Sequence, residues 1–270
     1  MTPESIEVTQ KSSIGSETTQ IGIQNNNIGL SPTDATNIAF AIFREYYPQL
    51  RQEALSDIEQ ILNNKLQSLP PEYIVPPTPK IAVPALQNAS ITEARDIRKL
   101  YANLLANSMN KVVKDGIHPG FVEIINQLCP DEAKILVQFY MQKVVPTITL
   151  RSENERGEGV NIIKDFSNIS ELAQCEYPLK VKMYFDNLIR LGLIETSMLA
   201  SLTDKTLYDP LKNHPYIISK QHSIEKSIGE YNKPAFAESF LSITEFGNEF
   251  CEKCVIDVTT IILPKIDLNI

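Results

Sequence analysis

The stretch Lys180-Val-Lys-Met-Tyr-Phe-Asp-Asn-Leu-Ile-Arg-Leu-Gly-Leu-Ile-Glu195 carries most information about the fold. Its first part, residues 180–191, predicts an α-helix that Gly192 ends as a C-cap, because glycine readily adopts the left-handed conformation needed there. Leu193-Ile194-Glu195 then begins an extended segment. A helix followed at once by a strand indicates a mixed α+β unit around this point.

The segments on either side extend this unit. Upstream, Pro130, Asp131 and Glu132 predict a helix start, residues 144–150 a strand, and residues 168–175 a short helix. Between them, we predict a charged loop that contains glycine over residues 151–159. Downstream, we predict a long loop over residues 200–231 with a short strand at 216–219. A strand over 236–243 and a final helix capped by Thr244 complete the unit. This order predicts a winged-helix-like α+β domain over residues 129–256.

In such a domain the helix from Lys180 would occupy the recognition position, where exposed side chains enter a DNA groove. Lys180, Lys182 and Arg190 are then the candidate contacts with DNA phosphates or with a partner. Residues 129–254 nevertheless contain 14 Lys and Arg against 18 Asp and Glu, a net charge of −4. DNA-binding proteins concentrate positive charge on the docking surface, so this balance favours a protein partner over DNA.

The rest of the chain divides into five further segments. Their predicted types are a disordered tail (1–30), an N-terminal helical region (31–68), a Pro-rich connector (69–89), a helical centre (90–128) and a C-terminal tail (257–270). In the helical region Ser31 is the predicted N-cap, and Pro48 leaves either a helical hairpin or one kinked helix. Six prolines in residues 69–84 predict an extended conformation. Ser90 and Glu93 predict a capping box that opens the next helix.

Several of these stretches, in this order, resemble the abortive infection alpha family of bacterial proteins over about residues 76–254. They are Pro77-Thr-Pro-Lys-Ile-Ala-Val-Pro-Ala-Leu-Gln-Asn-Ala-Ser, Ile97-Arg-Lys-Leu-Tyr-Ala-Asn-Leu-Leu-Ala-Asn-Ser-Met, His118-Pro-Gly-Phe-Val-Glu-Ile-Ile, Leu128-Cys-Pro-Asp-Glu-Ala-Lys-Ile-Leu, Asn187-Leu-Ile-Arg-Leu-Gly-Leu-Ile-Glu and Leu241-Ser-Ile-Thr-Glu-Phe-Gly-Asn-Glu-Phe-Cys. The resemblance implies a role in bacterial phage defence. The family is not defined by a catalytic motif, so no active-site residue is carried over.

The N-terminal tail carries a second resemblance. Gln20-Ile-Gly-Ile-Gln-Asn25 is similar to the Q-I-G-x-x-N core of amyloid signalling motifs, although Thr19 stands where a branched apolar residue is expected. Stacked strands of this type would align apolar side chains and amide ladders. The candidate assembly residues are Gln20, Ile21, Gly22, Ile23 and Asn25. The alternative interpretation is an unstructured Asn-rich tail.

Composition limits the class of protein. The chain has 270 residues, a formal net charge of −8 and four cysteines. It shows no secretion signal and no run of about 18 apolar residues, so we expect a cytoplasmic protein without a membrane span. The Cys251-x-x-Cys254 pair predicts buried core cysteines. No motif of the common hydrolase, nucleotide-binding or metalloprotease types occurs. We therefore predict no catalytic residues, no cofactor and no metal.

Together these patterns predict a mainly α protein, with a helical N-terminal and central region followed by a winged-helix-like α+β C-terminal half. The predicted function is a non-enzymatic component of abortive infection defence that acts through protein–protein contacts. The partner would be another defence component or a phage-derived trigger, and a homo-oligomer would also fit. The alternative is a winged-helix DNA-binding transcriptional regulator.

Overall fold

Five helices form the N-terminal and central part of the chain. The computed structural model describes residues 30–46, 52–197 and 200–256. The helices are α1 (Pro32–Tyr46), α2 (Gln52–Leu66), α3 (Pro79–Ile91), α4 (Arg95–Ser108) and α5 (Phe121–Asn126). These helices agree with the sequence prediction that the protein is mainly α-helical.

Helices α1 and α2 form the hairpin that was one of the two sequence predictions. The Ser31 hydroxyl accepts a hydrogen bond from the Asp34 N–H at 3.1 Å, which confirms the predicted N-cap. The Thr36 hydroxyl donates to Asn63 Oδ1 at 2.7 Å. A contact between the start of α1 and the end of α2 requires the two helices to run antiparallel.

The predicted extended connector is wrong from Pro79 onward. Pro79 occupies the first helical position of α3, where the missing N–H has no helical acceptor to lose. Pro84 lies inside the helix and forgoes one backbone hydrogen bond. Burial of apolar side chains such as Ile81 and Leu86 offsets this loss.

The predicted capping box is also wrong. Ser90 lies inside α3, where its hydroxyl donates to the Gln87 carbonyl at 2.7 Å. Helix α4 begins five residues later, and its N-cap residue, Ala94, has no side-chain acceptor. A four-residue pattern cannot distinguish the end of one helix from the start of the next.

Helices surround a four-stranded antiparallel sheet in the C-terminal half. The elements are α6 (Pro130–Gln142), β1 (Val144–Glu153), β2 (Gly159–Phe166), α7 (Ile169–Leu172), α8 (Val181–Arg190), β3 (Ile194–Thr196), α9 (Asp209–Lys212), α10 (Pro215–Glu225), β4 (Lys233–Ile243) and α11 (Glu245–Phe250), followed by a π-helical turn (Cys251–Val255). The strand order is β2-β1-β4-β3. The long β1–β4 pair runs from Val144 opposite Ser242 to Glu153 opposite Lys233 and forms the centre of the sheet.

Most predicted elements of this half are confirmed. Helix α8 ends at Arg190, and Gly192 follows with a φ of 72° in the left-handed region. The Thr244 hydroxyl caps α11 by accepting a hydrogen bond from the Gly247 N–H at 2.8 Å. Strands β1 and β4 cover the two predicted strand segments.

Several expectations for this half fail. The predicted long loop over residues 200–231 contains helices α9 and α10. The predicted strand over residues 216–219 lies inside α10, which begins after His214. His214 Nδ1 caps this helix by accepting a hydrogen bond from the Tyr216 N–H at 3.2 Å. Residues 159–166 form strand β2, where the sequence analysis predicts no strand.

A single cluster of buried apolar side chains extends from Ala35 to Cys254 and includes side chains of both halves. Helix α4 lies at its centre. The side-chain amides of Asn103 and Asn107 donate to the Cys254 and Lys253 carbonyls, each at 2.8 Å. These bonds tie the central helix to the π-helical turn. None of the helices described here is both long and apolar enough to cross a membrane.

Candidate functional site

Helix α8 presents one apolar face to the core and one mixed face to solvent. Val181, Tyr184, Phe185 and Leu188 are buried, while Met183 and Asp186 on the opposite side are exposed. This i, i+3, i+4, i+7 spacing is the pattern of an amphipathic helix that lies on a core. The outward side is therefore the part of the helix available to a partner.

A buried carboxylate fixes the segment that precedes α8. Asp131 accepts hydrogen bonds from the Glu176 N–H at 2.9 Å, the Tyr177 N–H at 3.2 Å and the Tyr184 hydroxyl at 2.8 Å. Desolvation by burial alone would raise the pKa of Asp131. These three hydrogen bonds and a weaker one from Lys134 outweigh that effect and lower its pKa. The charged form of Asp131 thus holds helix α8 and the loop before it in place.

A second polar network secures the other end of α8. Glu132 accepts the Cys129 N–H at 2.8 Å and the Asn187 side-chain amide at 2.9 Å. Arg190 donates to Asn187 Oδ1 at 2.6 Å and to Gln127 Oε1 at 2.9 Å. Arg190, one of the predicted contact residues, is thereby engaged within the chain.

The other two predicted cations also have partners nearby. Lys182 forms ion pairs with Asp186 on the next turn and with Asp165 of β2, the latter at 3.6 Å. The Lys180 ammonium lies 4.2 Å from the centre of the Tyr177 ring. The structure therefore places all three predicted residues on or beside α8. Lys182 is already paired with acidic groups, and Lys180 already packs against an aromatic ring.

Exposed apolar side chains cluster along the same part of the chain. Leu172 and Leu179 are each 57% exposed, Met183 is 54% exposed and Tyr177 is 50% exposed. We call these four residues the α7–α8 patch. The four residues lie within one short segment of the chain, and exposed apolar side chains that form one contiguous surface mark protein-interaction sites.

Strand β2 adds exposed apolar side chains at an edge of the sheet. It pairs only with β1 among the described strands, and its Val160 and Ile162 side chains are exposed. Asp165 of this strand is the residue that reaches Lys182 on α8. The sequence analysis missed these groups because β2 was not predicted, although Val160 and Ile162 are apolar residues two positions apart, the spacing of one face of a strand.

The remaining candidate residues lie elsewhere. Gln20, Ile21, Gly22, Ile23 and Asn25 fall outside the described residues. Cys251 and Cys254 are fully buried, as predicted, and desolvation raises the pKa of the Cys251 thiol to about 12. Within the described ranges, no group of three or more His, Cys, Asp or Glu side chains is arranged to hold a metal ion.

Comparison with protein families identifies the chain. The sequence model described as "Abortive infection alpha" matches residues 50–254, about three quarters of the length. The chain belongs to the abortive infection alpha family. The matched region contains all of helices α2 to α11 and the four strands. It therefore includes the α7–α8 patch and the hydrogen-bonded groups around Asp131 and Glu132.

Comparisons with individual proteins add little to the family assignment. One solved structure similar to this abortive infection alpha protein is an uncharacterized protein from the hydrocarbon-degrading marine bacterium Alcanivorax borkumensis SK2. It is 19% identical, and the alignment covers 48% of this chain and 88% of the other, with a TM-score of 0.34. No curated protein matches the chain.

Proposed function

We propose that this protein is a cytoplasmic, non-enzymatic component of abortive infection defence that contacts another protein through the α7–α8 patch. Membership of the abortive infection alpha family is the observation that carries the defence role. The patch supports the mode of action, because its exposed leucine, methionine and tyrosine side chains suit the apolar centre of a protein interface.

The electrostatics of α8 support a protein partner rather than DNA. Lys182 lies between two aspartates, and Arg190 is held by Asn187 and Gln127. Binding to DNA phosphates would have to compete with these interactions and overcome repulsion from Asp165 and Asp186. An apolar protein surface would leave the same interactions intact.

A phage challenge with surface variants tests this proposal. Cells that carry the intact gene should give fewer plaques than cells without it, and the double variant Leu179→Ser, Met183→Ser should lose this protection. The matched control is Val112→Ser, Met141→Ser, which alters two exposed apolar residues outside the patch. Equal plaque counts for the wild type and the patch variant, with both proteins folded and equally abundant, would contradict a role for the patch.

The order of elements supports a finer proposal about the C-terminal half. Helices α6, α7 and α8 accompany strands β1, β4 and β3, which lie side by side in that order. We propose that this is a winged-helix variant, extended by strand β2 and by the helices between β3 and β4. This arrangement is the observation that favours the alternative function, a DNA-binding transcriptional regulator.

DNA binding separates the two functions. If the protein acts through protein contact, fluorescence anisotropy with its own promoter DNA should show no salt-sensitive binding at low salt. Binding that weakens steeply with salt and disappears in the Lys180→Gln, Lys182→Gln variant would instead establish the regulator. The variant Lys80→Gln, Lys111→Gln removes the same charge from exposed positions outside α8 and serves as the control.

A further inference from the structure

A groove of about 520 Å³ lies between helices α2, α4 and α6, beside the end of the π-helical turn. The apolar part of its wall consists of Ile61, Leu100, Ala133, Val137, Ala173 and Val255. Ile61, Val137 and Ala173 are only half-buried, so apolar atoms of all three helical layers remain in contact with solvent here. The groove therefore offers apolar surface for a further segment to cover.

The charged groups that border the groove have partners within the chain. Lys99 Nζ lies 3.4 Å from Asp96 Oδ1, and Lys134 Nζ lies 3.4 Å from Asp131 Oδ1. The remaining lysine of the wall, Lys65, also has an interaction partner. Because these charges are already balanced, the groove suits an occupant whose side chains are apolar and uncharged.

The described part of the chain ends beside this groove. Val255 lines it, and the next residue, Ile256, is half-buried and extended, with a φ of −83° and a ψ of 137°. The Asn103 side-chain amide holds this point in place, since it donates to the Cys254 carbonyl at 2.8 Å. The segment that follows Ile256 therefore starts at the groove.

The sequence of that segment is typical of a buried strand. Val258-Thr-Thr-Ile-Ile-Leu263 contains no charged residue, and four of its six side chains are aliphatic. Valine, isoleucine and threonine favour extended backbone, whereas segments that stay in water are poor in such residues. Six extended residues span about 20 Å. This exceeds the length of the groove wall from Asp96 to Asn103 on α4, which is about 10 Å at the rise of an α-helix.

We propose that residues 258–263 dock in this groove as an extended segment of the same chain. Their aliphatic side chains pack on Ile61, Val137 and Ala173 and remove them from water. The short connection from Ile256 makes docking intramolecular, with an effective concentration of about millimolar order. Residues 1–29 fit the groove less well, because they are rich in Ser, Thr, Gln and Asn. The inference goes beyond the proposed function, which uses the different side chains of the α7–α8 patch.

Tryptophan fluorescence tests this docking, because the chain contains no tryptophan of its own. In the full-length variant Leu263→Trp, the indole should lie against the apolar wall and emit at shorter wavelength than an indole in water. Acrylamide should quench this emission several-fold less than it quenches the reference variant Asp115→Trp, whose position is exposed.

Changes within the segment should release it. In the Leu263→Trp background, the double variant Ile261→Ser, Ile262→Ser removes apolar contacts and should raise acrylamide quenching to the level of the reference. The matched control Thr259→Ser, Thr260→Ser changes two polar residues of the same segment and should leave quenching low. Neither double variant alters a residue of the described fold.

A change in the groove locates the contact. Val137→Asp places a carboxylate on the apolar wall and should release the segment, whereas Met141→Asp, at an exposed position of the same helix, should not. Hydrogen exchange in α2 and α6 should be faster in the Ile261→Ser, Ile262→Ser variant than in the wild type. This comparison remains decisive if Val137→Asp fails to fold.

Three results would overturn the proposal. The first is quenching of Leu263→Trp as strong as that of the exposed reference. The second is hydrogen exchange in α2 and α6 that is unchanged by the double isoleucine variant, which would place the segment elsewhere. The third is weak quenching that becomes strong on dilution and accompanies a dimer on size-exclusion chromatography, which would place the segment in the groove of a second copy.

Discussion

Asp131 shows how a single buried charge organises a surface that it does not itself form. Its carboxylate accepts two backbone N–H groups from the loop before α8 and one hydroxyl from α8 itself. The sequence identified Asp131 only as an acidic residue at a helix start. Its partners lie 45, 46 and 53 positions further along the chain, and no local pattern reveals contacts at that separation.

The variant Asp131→Asn should reduce the free energy of unfolding at pH 7 by about 2 kcal/mol, because an amide nitrogen cannot accept these hydrogen bonds. The pKa of Asp131 is lowered in the folded protein. Its contribution is therefore complete above the unfolded-state pKa of about 3.9 and is lost as pH falls through the folded-state value.

Urea unfolding at several pH values measures this effect. The difference between the wild type and Asp131→Asn should shrink as the pH falls below about 4. Asp115→Asn, at an exposed position, is the control and should have little effect. A difference that stays constant down to acid pH would show that the charge of Asp131 does not contribute.

Local sequence patterns were strong enough to predict some helices and strands, whereas other elements had no such pattern. Thr244 and Gly192 marked helix ends through backbone chemistry that acts within a few residues. Helix α10 buries only Ile217 and Ile224 fully, so its apolar periodicity is too weak to see in the sequence. Helix α3 was missed because prolines suggested an extended chain, whereas burial in the tertiary structure decided its conformation.

Helix α10 can be tested against the loop that its sequence suggested. Ser219→Pro would remove a helical hydrogen bond and crowd the preceding turn, so it should destabilise the protein by about 3 kcal/mol. Ser219→Ala keeps the helix and should change stability by less than about 0.5 kcal/mol. Urea unfolding measures both variants. A proline variant as stable as the wild type would contradict a helix at this position.

At the scale of the molecule, the central helix α4 links the N-terminal helices to the C-terminal half. Its buried side chains include Leu100, Leu104 and Leu105, and its two asparagines bind the π-helical turn. The motif that contains these asparagines was visible in the sequence, and it predicted the helix. The partner of the asparagines was not visible, because the π-helical turn lies almost 150 residues away.

This link makes a prediction about cooperativity. Asn107→Ala removes the donor to the Lys253 carbonyl and should lower the free energy of unfolding by about 1 kcal/mol. Asn126→Ala, at the exposed end of α5, is the control and should be close to neutral. Circular dichroism and tyrosine fluorescence should report coincident transitions for both variants, since one core joins the halves. Separate transitions would show that the halves unfold independently.

The packing of α1 has a practical consequence for fragments of this protein. The family match begins at residue 50, but Ala35, Ala39 and Phe40 of α1 are buried in the same core as α2 and α3. A fragment that starts at residue 50 would lack α1, so the apolar core residues that α1 covers would be exposed to solvent. Exposed apolar surface of this kind promotes self-association. Expression of a fragment from Leu30, which keeps the Ser31 cap, should therefore give more monodisperse material on size-exclusion chromatography.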